Sequence, residues 1–193
     1  MTITSDAAGR ADAETMRRSL GTPDEFAALF ERHFADVHRY AARRLGETAA
    51  DDIAAEVFLI AFRGRERYAP DRGPVRAWLF GIAANLIGRH HRAELRALRT
   101  WARVGADPVI PTHAAPADPA PDGLEPRLAG VLAELSADDR EVLLLVAWAE
   151  LTYDEVAAAL DIPPGTVASR LNRARRRLRV ALNPNVALNP DED

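Results

Sequence analysis

Residues 151–182 read LTYDEVAAALDIPPGTVASRLNRARRRLRVAL, and they decide the fold. Thr152 is placed to cap a helix, and Glu155, three residues on, to reach back to it, a capping box. The helix that follows carries Val156, Ala157 and Leu160. It is short, because Asp161-Ile162-Pro163-Pro164-Gly165 leaves room only for a turn. Thr166 then opens a second helix. On its wheel Val167, Leu171, Ala174 and Leu178 share one face, which suits packing on the helices before it. Ser169, Asn172, Arg173 and Arg176 lie on the opposite face. A short capped helix, a tight turn and an arginine-rich amphipathic helix make a helix-turn-helix.

The free face of the last helix carries side chains that read base edges in a major groove, arginine against guanine above all. Arg170, Arg175, Arg177 and Arg179 flank that face and suit phosphates. A solvated basic helix is the plainer alternative. From Gly165 to Leu182 there are six arginines and no acid, so the helix has no ion pairs of its own to stabilise it. That favours DNA.

Upstream, Ser136-Ala137-Asp138-Asp139 resembles another capped start, followed by a very apolar helix from Val142 to Trp148. Residues 125–182 therefore read as one helical domain, with residues 183–193 as an acidic tail. Within residues 103–124, Pro108, Pro111, Pro116, Pro119 and Pro121 break any helix, which predicts a flexible linker. Residues 23–102 read as a second helical domain. Phe26, Leu29, Phe30, Phe34, Val37 and Ala41 keep the spacing of one buried helix face, and Ile53, Val57, Ile60 and Ala61 continue it. After a loop at 64–74, a long helix is predicted from Val75 to about Arg99. Residues 1–22 are polar and read as a disordered extension. No segment alternates as a strand does, so the expected fold is all-α, two small helical domains on a flexible linker.

Composition sets the outer limits. The chain has 193 residues, 48% of them hydrophobic, which is enough for two small cores. No apolar run approaches the roughly 18 residues of a membrane span, and the N-terminus lacks the apolar stretch of a signal peptide, so a cytoplasmic protein is expected. There is no cysteine, which excludes disulfides and thiolate sites. The net charge of −4 conceals segregation: Gly88 to Arg103 holds five arginines and one glutamate, while acids gather at Asp51, Asp52, Glu56 and the last three residues. A basic stripe on an acidic chain fits a nucleic-acid face beside surfaces that meet a basic partner. His90 and His91 are adjacent, and neighbours on a helix point apart, so no metal site is expected there. Neither a cofactor nor catalysis by the chain is expected. The sequence holds no phosphate-binding glycine loop, metal-binding histidine-glutamate motif or serine-histidine arrangement.

Three motifs taken in order carry a family resemblance. Residues 151–160 with 164–175 resemble the region-four helix-turn-helix of extracytoplasmic-function (ECF) sigma factors of the sigma-70 family. DDIAAEVFLIAF at 51–62 resembles their core-binding helix, and RAWLFGIAANLIGRHHR at 76–92 their promoter-melting helix. The resemblance spans about residues 25–100 and 125–180. It departs from the common pattern at Ala55, where many members carry glutamine, and in a linker unusually rich in proline.

The resemblance implies an alternative sigma factor. Its region two would bind core RNA polymerase and melt the −10 promoter element, and its region four would bind the −35 element as duplex. It also implies an anti-sigma factor as partner. Carried onto this chain, the −35 residues are Thr166, Ser169, Arg170, Asn172, Arg173, Arg176 and Arg177. Those for melting are Tyr68, Trp78, Asn85, Arg89 and Arg92, and those for core polymerase Asp51, Asp52, Glu56 and Phe58. The residues suit these roles: acids beside apolar groups fit a basic helical partner, and aromatics beside arginines stack unpaired bases. Each has a plain alternative. The acids also favour a helix start, Trp78 and Phe80 could be core, and Asn85 could bridge two helices. A free-standing helix-turn-helix regulator and an anti-sigma or adaptor protein that has lost DNA binding are the competing classes. The first would carry a dimerising or ligand-binding domain in place of the acidic, aromatic and basic one here.

Overall fold

The computed structural model describes residues 2–104 and 126–182, and all the regular structure there is helical. The first domain comprises α1 (Thr2–Ser19), α2 (Ala27–Leu45), α3 (Glu47–Arg63), α4 (Val75–Arg89) and α5 (His91–Val104). The second comprises α6 (Pro126–Glu134), α7 (Ala137–Ala147), α8 (Tyr153–Leu160) and α9 (Pro164–Leu182). Residues 105–125 and 183–193, where the linker and the acidic tail were expected, lie outside the described residues. Among the described residues no helix is long and apolar enough to cross a membrane.

The periodic faces are the buried ones. Leu29, Val37, Tyr40 and Ala41 of α2 meet Ile53, Ala54, Val57 and Ala61 of α3, and Leu79, Phe80, Ala83 and Ile87 of α4 close the core. Phe80 is 1% exposed and stands edge-on to Tyr40 at 5.4 Å, so it belongs to the core.

Two expectations for the first domain are corrected. The N-terminal extension is not disordered over its described residues: α1 docks on the domain. Its apolar anchor is Met16, 1% exposed. Its polar anchor is the buried Asp12, which accepts a hydrogen bond from His33 Nε2 at 2.7 Å and pairs with Arg32. Both partners lie on α2, so a segment poor in apolar residues is held by contacts distant in sequence. The helix expected from Val75 to Arg99 is broken at His90, whose N–H turns back to Ile87 O at 2.8 Å. Gly88, a poor helix former, precedes the break.

In the second domain the caps form as the spacing predicts. Ser136 Oγ accepts from the Asp139 N–H at 3.2 Å. The Thr152 N–H donates to Glu155 Oε2 at 2.8 Å, and the Glu155 N–H donates to Thr152 Oγ1 at 3.3 Å. Such caps contribute about 1 kcal/mol each. Asp161, with φ of 53°, ends α8 in the left-handed region. Arg140 is 1% exposed and donates to Leu132 O and Leu135 O, both at 3.2 Å, so it supplies the partners that the end of α6 lacks. Val167, Leu171 and Ala174 of α9 are buried, which turns the arginine face outward.

The two domains are not held apart. α4 packs on α8 and α5 on α6. At Gly81 on α4 a Cβ would collide with the Ala159 carbonyl oxygen, and at Gly73, where φ is +145°, a Cβ would lie 2.6 Å from Ala158 Cβ. The domains therefore close only because side chains are missing at these two positions.

Candidate nucleic-acid interface

α9 presents Ser169, Asn172, Arg173 and Arg176 to solvent, with Thr166 and Arg170 half-buried beside them and Arg177 exposed. Its arginines find no ionic partner within α9, as read from the sequence, but two of them find partners outside it. The partners come from α7 across the turn. Arg173 donates to both carboxylate oxygens of Asp139, at 2.8 and 3.3 Å, and Arg170 donates to Asp138 at 2.6 Å. Arg175 donates to Tyr153 Oη at 3.2 Å, and Arg177 reaches Glu134 O at 3.5 Å. The signal for these pairs was present in Asp138-Asp139, but only the docking of α7 on α9 reveals it. Asn172 and Arg176 are exposed, and neither is held by a side-chain contact among the described residues.

Asp139 has a pH consequence. Burial pushes its carboxyl up, but hydrogen bonds from Arg173 and Ser136 outweigh burial and hold it below the usual carboxylate value. A carboxyl depressed in the folded state adds stability above its unfolded pKa, and that stability is lost as pH falls through the folded pKa. Asp139→Asn should therefore lower the melting temperature near neutral pH, and the difference from the parent should shrink below about pH 4. A difference that stays constant from pH 7 to pH 3 would sink this assignment.

Between the two domains, Tyr68, Trp78 and Asn85 line one cavity of about 210 Å³ together with Arg67 and Arg72 and, from the second domain, Ala158, Ala159 and Asp161. The loop delivers Tyr68 and α4 delivers Trp78 and Asn85. The Tyr68 and Trp78 rings are 5.5 Å apart, and Tyr68 Oη donates to Gly73 O at 3.0 Å. Burial raises the Tyr68 hydroxyl above its ordinary pKa, so it stays a neutral donor. Asn85 is exposed. Arg89 is exposed at the end of α4. Arg92 begins α5, where the side chains lie outside the described residues.

The third surface lies along α3. Asp52, Glu56, Leu59 and Ile60 recur at helical spacing on one solvent face, acidic at one end and apolar at the other. Leu59 is 46% and Phe30 of the neighbouring α2 is 41% exposed, both high for large apolar side chains. Asp51 is exposed and accepts from His38 Nε2 at 2.9 Å. Phe58 is corrected: it is 4% exposed, packed against the Phe30 ring at 5.0 Å, and cannot meet a partner directly. The exposed apolar groups of this surface are Phe30 and the two residues that directly follow Phe58, Leu59 and Ile60.

A recognition helix, an aromatic cavity rimmed by arginine and an acidic-apolar stripe in one helical chain define a multi-surface DNA-binding protein. Residues 29–103 match the family model for Sigma-70 region 2, and residues 127–178 match that for Sigma-70, region 4. The chain belongs to the sigma-70 family, in its ECF group. It is 35% identical over 161 residues to ECF RNA polymerase sigma factor SigL of Mycobacterium tuberculosis, covering 80% of this chain and 87% of that one. It is 34% identical to RNA polymerase sigma factor CarQ of Myxococcus xanthus, covering 84% and 91%. The structure of CnrH in complex with the cytosolic domain of CnrY superposes with a TM-score of 0.66 at 28% identity, over 90% of this chain and 98% of that one.

Proposed function

We propose that this chain is the promoter-reading subunit of an RNA polymerase holoenzyme, acting in the cytoplasm and performing no catalysis itself. Its α3 stripe docks core polymerase through Asp52 and Glu56 beside Leu59, Ile60 and Phe30. Asp51 borders this contact. The cavity of Tyr68, Trp78 and Asn85 takes an unpaired base of the −10 element, stacked on the rings, while Arg89 and Arg92 hold phosphates. α9 enters the major groove of the −35 element, with Asn172 and Arg176 at its centre and Thr166, Ser169, Arg170, Arg173 and Arg177 around them. The single observation that carries this reading is the aromatic pair of Tyr68 and Trp78 beside Asn85, in the same chain as a separate duplex-reading helix. An ordinary regulator has no use for the first. The CnrH structure contains a partner, the cytosolic domain of CnrY, and an anti-sigma partner is proposed for this chain.

Run-off transcription from a promoter library, with core polymerase and this chain, tests the reading. Specific transcripts should appear that core polymerase alone does not make. Transcripts identical with and without the chain would refute it.

The division of labour on α9 is testable separately. Arg173→Ala should relax preference at one base pair by about tenfold or more, if the guanidinium leaves Asp139 to meet a guanine edge. Arg177→Ala should weaken binding evenly across sequences and flatten its salt dependence. Uniform weakening by both would remove Arg173 from base reading and leave it as a partner of Asp139.

A further inference from the structure

We propose that Arg65 is a positioning residue for base capture: its guanidinium staples the end of α1 to the end of α3 and so fixes the turn that presents Tyr68. The inference deepens the reading of Tyr68, Trp78 and Asn85 as the base-binding group and rests on it. α1 precedes residues 29–103, which match region 2, and that reading gives α1 no task.

The side chain of Arg65 is half-buried between two helix ends. Its Nε donates to Ser19 O, at the C-terminal end of α1, at 3.2 Å. Its Nη1 donates to Phe62 O, in the last turn of α3, at 2.6 Å. The last carbonyls of a helix lack partners within it and form its negative end, so one cation serves both termini. The guanidinium also lies 4.2 Å from the centre of the Phe62 ring, which meets Phe26 edge-on at 5.3 Å. A planar fork can donate in two directions and stack at once, whereas a lysine ammonium on its flexible stem cannot.

The staple is coupled directly to the site. The Tyr68 N–H donates to Arg65 O at 3.3 Å, so a shift of Arg65 passes to Tyr68 through the backbone. Packing does not replace this tie. Tyr68 lines a second cavity, of about 430 Å³, whose other walls include Ala13, Met16 and Arg17 of α1. At the far end of the loop, Gly9 of α1 sits against Pro74, where an added Cβ would lie 3.7 Å from Pro74 Cβ. α1 therefore braces the loop at both ends, and Asp12 anchors α1 to α2 through His33 and Arg32. A loop already held in place does not have to be ordered when the base arrives, so more of the stacking energy appears as affinity.

The test uses holoenzyme assembled from core polymerase and the full chain. The probe is a single-stranded −10 oligonucleotide, so that no melting is required. Each position in turn carries each base or an abasic sugar. Tyr68→Ala marks the captured position as the one where base preference is lost. There, Arg65→Gln should weaken binding of the preferred base about tenfold. It should leave binding of the abasic oligonucleotide, the salt dependence and co-elution with core polymerase as in the parent. Arg65→Lys should restore part of the preference. Asp12→Ala, acting from the α1 side with Arg65 intact, should relax the preference at the same position. A parent-like preference in a folded Arg65→Gln or Asp12→Ala chain would overturn the staple and leave Tyr68 as the base-binding ring. Equal weakening of intact and abasic oligonucleotides, with a flatter salt dependence, would make Arg65 a phosphate ligand and overturn it as well. A preference that survives Tyr68→Ala at every position would remove the base-capture reading, and this inference with it.

Discussion

Mixed with promoter duplex alone, the chain should leave every thymine unreactive to permanganate; with core polymerase added, thymines of the −10 element should react, and the complex should resist salt. The effect is expected to be all or none. Unstacking bases costs a few kcal/mol per step. A single recognition helix competes poorly against the genomic excess of non-specific sites. Ala158 and Ala159 of the second domain also line the cavity proposed to take the unpaired base. Docking on polymerase would hold both domains at one promoter and raise their effective concentration there. Tight, specific duplex binding by the chain alone, unchanged by polymerase, would favour an ordinary regulator instead.

The second large effect concerns α3. Asp52→Arg combined with Glu56→Arg should reduce assembly with core polymerase by at least about a hundredfold, because like charges brought together at a contact cost several kcal/mol. Both side chains are exposed, so the fold has no stake in their sign. Asp51 is a poorer choice for reversal, since its contact with His38 would be lost as well. Co-elution with core polymerase and the far-ultraviolet circular dichroism spectrum read the two consequences independently. Normal helicity with normal co-elution would move the polymerase contact elsewhere, and the exposed Phe30 and Leu59 would then be the first alternative to test.

The local features were legible because their causes are local. The capping box of Thr152 and Glu155 needs only two residues three apart, and it forms as read. The buried stripe of Val167, Leu171 and Ala174 follows from helical periodicity, and so does the outward face of Asn172 and Arg176. Phe58 was misplaced for a related reason. A motif assigns a stretch of helix to a partner, but which of its apolar residues faces inward depends on a neighbouring helix. Here Phe30 and Phe34 of α2 draw Phe58 inward and leave Leu59 and Ile60 outside.

By itself the sequence determined the helical class, the two domains, the recognition helix and the aromatic-basic character of α4, because periodicity, caps and turn residues act over a few positions. Only the tertiary structure decided that α1 docks, that Arg173 and Arg170 are held by Asp139 and Asp138, and that the second domain lies over Trp78 and Asn85. Each of these depends on contacts between residues far apart in the chain: Asp12 with His33, Asp139 with Arg173, Arg44 with Glu141. An arginine's charge is written in its own residue type. Whether it faces DNA, a carboxylate or another domain is set by what the folded chain brings within hydrogen-bonding distance, and no local pattern encodes that.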